Sequence, residues 1–142
     1  MSDCCGDKKS EGCCCGDDAP KKNILFYACS GGANVGEAAD RAAREMMYKG
    51  CGTMFCLAGL GAGIEGMIQT ARDADLNVVI DGCSIDCAKK IFGRTGITNY
   101  RQLDVTKLGV EKAKGVPCTD DDVAKVVAGV YELLAAEGLA GK

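Results

Sequence analysis

Three apolar segments in succession run to or through a cysteine and then pass through small residues toward a candidate helix. This repeated handover confines the chain to a strand-turn-helix architecture. The first segment is Asn23-Ile24-Leu25-Phe26-Tyr27-Ala28, followed by Cys29. The second, Thr53 to Leu57, contains Cys56, and the third, Asn77-Val78-Val79-Ile80, leads through Asp81 and Gly82 to Cys83. The length and β-branched content of the third suit a strand buried on both faces. Ile97 to Val105 is less apolar and reads as a fourth strand nearer an edge. The expected fold is a small three-layer, Rossmann-like α/β domain with a mainly parallel four-stranded sheet, its first strands in the order 2-1-3.

The intervening segments read as helices. From about Val35 to Tyr48, the residues Ala38, Ala39, Ala42, Ala43, Met46 and Met47 form a thin face suited to close packing on a sheet. A second helix is expected to end near Asp73, and a third to run through Ala88 to Phe92 and stop at Gly93. Thr106 to Gly115 reads as a loop with one helical turn. Thr119 caps a last helix, Asp120 to Glu137, with Val123, Val126, Val127, Val130, Leu133 and Leu134 as its buried stripe.

The carboxyl edge of such a sheet is where open α/β folds place their ligands, and the cysteines fall there. Neighbouring strands lie about 4.8 Å apart, and two thiolates on one zinc ion sit roughly 3.8 Å apart. Adjacent strand ends therefore present Cys29, Cys56 and Cys83 as a row. Cys87, four residues beyond Cys83, closes it if the intervening turn is helical. Read without a ligand, the same cysteines serve as small buried hydrophobes. The turn Ser30 to Gly36 is expected to aim N–H groups at Cys29 and lower its pKa, a geometry that would also cradle an oxyanion. It has neither the Gly-Lys-Ser/Thr ending of a Walker loop nor the arginine of a cysteine-dependent phosphatase loop. Gly61-x-Gly63-x-x-Gly66 matches the dinucleotide fingerprint, with Asp81 in the place of its ribose-binding acid. Against that reading, the glycines belong to the second βα unit, and Asp81 adjoins the cysteine pair.

Composition narrows the chemistry. The 142 residues suffice for one domain, and 17 basic against 20 acidic residues give a net charge of -3 with no basic track. The expectation is no nucleic acid and no membrane partner. Val123 to Ala140, the most apolar late stretch, is interrupted by Lys125, Glu132 and Glu137. With no histidine present, a histidine base is excluded, and a transition metal would be held by sulfur or by sulfur with carboxylate. The 11 cysteines approach the density of a disulfide scaffold, but their odd number, the long apolar core and an amino terminus unlike a signal peptide fit a reducing cytoplasm better. Residues 1–22 hold Cys4, Cys5, Cys13, Cys14 and Cys15 among Gly, Asp, Lys, Ser and Glu. They read as a flexible cysteine-rich tail and a labile thiol reservoir, with residues 23–142 as the α/β metal-binding domain.

Cys29-Ser-Gly-Gly-Ala-Asn-Val-Gly36, Cys56-Leu-Ala-Gly59, Asp81-Gly82-Cys83 and Asp86-Cys87 together resemble the DGC-domain family, named for its Asp-Gly-Cys motif. The resemblance spans residues 23 to 137. It implies binding of zinc (Zn2+) through four candidate chelating cysteines, which map onto Cys29, Cys56, Cys83 and Cys87. The tail goes beyond the family pattern. The expected function is metal handling, with a metal-donor or metal-acceptor protein as partner and the oligomeric state open. The alternative is a cysteine-dependent enzyme or persulfide carrier using Cys29, with Asp81 or Asp86 as polar partner.

Overall fold

The computed structural model describes residues 21–139. The thiol-rich segment carrying Cys4, Cys5, Cys13, Cys14 and Cys15 lies outside the described residues, as does its expected role as a tail. The elements are β1 (Ile24–Ala28), α1 (Asn34–Tyr48), β2 (Thr53–Met54), α2 (Leu57–Gly61), α3 (Glu65–Asp73), β3 (Leu76–Asp81), α4 (Cys87–Thr95), β4 (Tyr100–Asp104), a 3-10 turn (Val105–Leu108) and α5 (Asp120–Ala136).

All four strands are parallel, in the order β2-β1-β3-β4. The order expected for the first three is therefore present, with β4 on an edge. β3 is flanked on both sides and all six of its residues are buried, which is why its sequence is continuously apolar save for Asn77 and Asp81. Asn77 is accommodated because its Nδ2 donates to the carbonyls of Ala71 and Asn99.

Side chains alternate across the sheet and build two cores. Ile24, Phe26, Val78 and Ile80 pack with α1 and α5, whereas Leu25, Tyr27 and Val79 pack with residues of α2, α3 and α4. The result is three layers. Four fully buried alanines, Ala38, Ala39, Ala42 and Ala43, form the close-packing face of α1. α5 carries the expected cap, in which Thr119 and Asp122 each accept from the other's backbone N–H. In the second core the Tyr27 ring meets Phe55 and Phe92 edge-on, and its buried hydroxyl has no hydrogen-bond partner among the described residues.

Several boundaries differ from expectation. β2 ends at Met54 instead of reaching Leu57; Phe55 still donates to the Phe26 carbonyl, but Cys56 already stands as N-cap of the short helix α2. The helix expected to end near Asp73 is α3, but the glycine-rich stretch before it also holds the short helix α2, parted from α3 where Gly63 takes a left-handed φ of 73°. α4 passes through Gly93 to Thr95 and ends on the left-handed Gly96, whose N–H bonds the Phe92 carbonyl. β4 is shorter than Ile97 to Val105, since Asp104 accepts from Thr106 N–H and starts the 3-10 turn. On α5, Leu133 is only half-buried.

Candidate metal centre

β1 is the strand at which the chain reverses direction across the sheet, since β2 lies on one side of it and β3 on the other. A crevice is expected between the carboxyl ends of β1 and β3. Cys29 directly follows β1 and Cys83 follows β3 by one glycine, so both border that crevice. Cys87 opens α4, and Cys56 lies two residues beyond the edge strand β2, as N-cap of α2.

The Asp-Gly-Cys motif divides into distinct tasks. Asp81, 1% exposed, accepts from the N–H of Ala88 at 2.8 Å and of Lys89 at 3.1 Å, and thereby caps α4 from the strand before it. Gln102, on β4, donates to Asp81 at 2.9 Å and to Asp86 at 2.7 Å, tying both aspartates to the sheet. These aspartates, the polar partners of Cys29 in the enzyme alternative, fix where α4 begins, and with it Cys87. Gly82 donates its N–H to Cys29 Sγ at 3.0 Å.

Cys83 and Cys87 do not share a helical face, contrary to the conditional expectation. The Cys83 carbonyl accepts from Asp86 N–H, Asp86 adopts a left-handed φ of 58°, and α4 starts only at Cys87. The sharp turn nevertheless brings both cysteines, with Cys29, to the lining of one cavity of about 280 Å3. A second, larger cleft of about 580 Å3 is lined by Cys29, Cys56 and Cys87. Cys29 and Cys87 thus stand between two hollows, with Cys83 on one side and Cys56 on the other.

The expectation for Cys29 acidity is reversed. Burial pushes its thiol pKa up and outweighs the Gly82 N–H that favours the thiolate, and the neighbouring charges of Asp81, Cys87 and Cys83 raise it further. The amide beside the sulfur comes from the end of β3; no N–H of the Ser30 to Gly36 turn donates to it. Among the described residues, no group of three or more His, Cys, Asp or Glu side chains is arranged to hold a metal ion. The sulfurs have the right chemistry for a soft ion and share walls, but they do not form a ready chelate.

The dinucleotide-like glycines have a different setting from the fingerprint. Gly61 ends α2, Gly63 forms the left-handed link and Gly66 lies in the first turn of α3, so the motif joins two helices and does not follow a strand directly. No local sequence signal marks the tasks of Gln102, Asn34 and Lys112. Lys112 donates to Cys83 Sγ at 3.3 Å, and Asn34 anchors the segment that carries it. Their partners lie 16 to 79 residues away in the chain, beyond any local pattern.

A three-layer α/β domain with thiols gathered at its sheet reversal defines the class. The chain belongs to the DGC-domain family, and the DGC domain matches residues 25–130, from β1 into α5. It is similar to the anaerobic and virulence modulator AnvM of Pseudomonas aeruginosa, with 28% identity over 114 residues that make up 80% of this chain and 87% of that protein. No solved structure matches the chain. Among the described residues no helix is long and apolar enough to cross a membrane.

Proposed function

We propose that this protein is a cytoplasmic zinc-binding protein of metal handling, with Cys29, Cys83, Cys87 and Cys56 as ligands. The observation that carries the reading is the convergence of Cys29, Cys83 and Cys87 on one cavity at the sheet reversal. Zinc would supply a tetrahedral all-sulfur link in place of the thiol protons. Cys29 contributes a sulfur already held by the Gly82 amide, while Asp81 and Gln102 hold the start of α4 and so the position of Cys87. Lys112 offsets negative charge beside Cys83. Because the four sulfurs form no ready chelate, binding is coupled to a local rearrangement in which the Cys56 turn joins the other three. Capture of the ion must also expel the Cys29 proton, which burial holds in place, so affinity falls as pH is lowered.

The regulatory name of AnvM accords with a metal-responsive role more than with turnover. The reading of Cys29 as nucleophile or persulfide carrier has less support, because its thiol is held protonated and both aspartates are engaged elsewhere. The cysteines of residues 1–22 would act as a separate reservoir that passes metal to the core or to a partner protein.

The test uses full-length protein with Cys4, Cys5, Cys13, Cys14 and Cys15 replaced by serine, purified anaerobically and assayed by elemental analysis and native mass. It should retain about one zinc per chain. Adding Cys83→Ser should remove most of the tight binding, and undiminished affinity in that variant would defeat the assignment.

A further inference from the structure

We propose that the smaller cavity is a receptor for a small anion, a carboxylate or inorganic oxyanion, seated between Lys112, Lys114 and the Gly31-Gly32 turn with Cys83 at its wall. This goes beyond metal binding and does not require it. Residues 111–115, expected only as loop, form a strap across the turn that follows β1. Asn34, 7% exposed, donates through Nδ2 to the Glu111 carbonyl at 2.8 Å and accepts through Oδ1 from Ala113 N–H at 2.7 Å. Its own N–H bonds the Ala113 carbonyl, and Gly115 N–H bonds that of Gly32, so that Ala33 and Lys114 pair as an antiparallel bridge. In an extended segment alternate residues face the same way, and Lys112 and Lys114 both line the cavity.

Nothing in the lining neutralises these two cations. The cavity wall contains no aspartate or glutamate. Among the described residues the one acceptor for Lys112 is the Cys83 sulfur, a weak partner while it is a thiol, and Lys114 has none. Gly31 and Gly32 also line the cavity, and their N–H groups likewise have no acceptor among the described residues. Asp81 and Asp86 stand outside the lining, where their carboxylates accept from the start of α4 and from Gln102. Two lysines bordering one concave space beside the Gly31-Gly32 turn attract an anion even in a chain of net charge -3. At about 280 Å3 the space admits a small carboxylate or oxyanion.

The probe is the rate at which Cys83 is alkylated by iodoacetate relative to neutral iodoacetamide, in reduced, chelator-treated full-length protein read by peptide mass. Both reagents lose iodide to the same thiolate, so the ratio cancels the extent of thiol ionisation. Exposed Cys56, on the other cleft, is the internal reference. The ratio at Cys83 should exceed that at Cys56 by about tenfold at low salt. It should fall to the Cys56 level in Lys112→Gln/Lys114→Gln, and Lys112→Arg should keep it. Sulfate or acetate, added at constant ionic strength, should protect Cys83 from both reagents in the wild type only. Equal ratios at the two cysteines, or an excess that survives the double substitution, would overturn the proposal. So would failure of both anions to protect, since the cavity would then attract anions without holding them. Zinc content, measured separately on the same proteins, reports on the metal reading whichever way the alkylation falls.

Discussion

A methyl group placed on Gly82 would lie 3.0 Å from Val35 Cγ2, 3.1 Å from the Val35 carbonyl carbon and 3.1 Å from Cys29 Sγ. One of these neighbours is backbone at the start of α1 and cannot swing aside as a side chain would, so the glycine between Asp81 and Cys83 suits the tight packing against the first strand's turn. Gly82→Ala is expected to cost about 1–3 kcal/mol by overpacking and to displace the Cys29 sulfur from its amide donor. Thermal melts and zinc titration would show this as a lowered midpoint together with weakened binding; an unchanged midpoint would mean that the β1 turn yields easily. At this scale the sequence displayed the residue types without their tasks. The Asp-Gly-Cys run drew attention as chemistry, yet only Cys83 faces the cavity through its side chain, while Asp81 serves α4 and Gly82 makes room for a sulfur 53 residues earlier.

Among the elements, the helices that carry a complete local signal came out as expected. α5 has its threonine cap, three acidic residues in its first turn and an apolar stripe, all within one stretch of chain. The strap at 111–115 has no such signal, because its extended form is imposed by Asn34, 77 and 79 residues away from the groups it binds. Asn34→Ala removes both side-chain bonds and leaves the Ala113 N–H without its acceptor, at a cost of about 1–3 kcal/mol. Hydrogen exchange should accelerate at Ala113 and Gly115 while the middle of α5 stays protected. If exchange at the strap were unaltered, the backbone bridge between Ala33 and Lys114 would suffice to hold it, and Asn34 would have no positioning role.

For the whole molecule, burial sets the response to alkali. Desolvation raises the pKa of Cys29, of Cys118 despite the opposing Arg41, and of Tyr27. Each group is neutral below its ordinary value, 9.0 for the thiols, and there folded and unfolded chains bind the same proton. Above that value the unfolded chain releases protons that the folded chain retains. Stability is therefore fully present at neutral pH and is lost as pH rises from about 9 through the raised values of the folded state. Urea unfolding of reduced, metal-free protein should give a lower midpoint at pH 10 than at pH 7, and a midpoint that holds or rises would contradict the burial of these groups.

The sequence by itself determined the layers, the parallel sheet and the placing of cysteines at strand ends. Those follow from hydrophobic periodicity and from small residues at each turn, both of which are local properties of the chain. It also limited any metal site to sulfur and carboxylate, since no histidine exists to compete. Only the tertiary structure decided how the thiols are shared. The left-handed Asp86 and the early end of β2 put Cys83 and Cys56 on opposite sides of Cys29 and Cys87. The acidity of Cys29 and the lysines set over Cys83 were likewise beyond the sequence. Desolvation and charge depend on what surrounds a group in space, and here those surroundings are drawn from the ends of β1 and β3, the start of α4 and a strap about thirty residues further on.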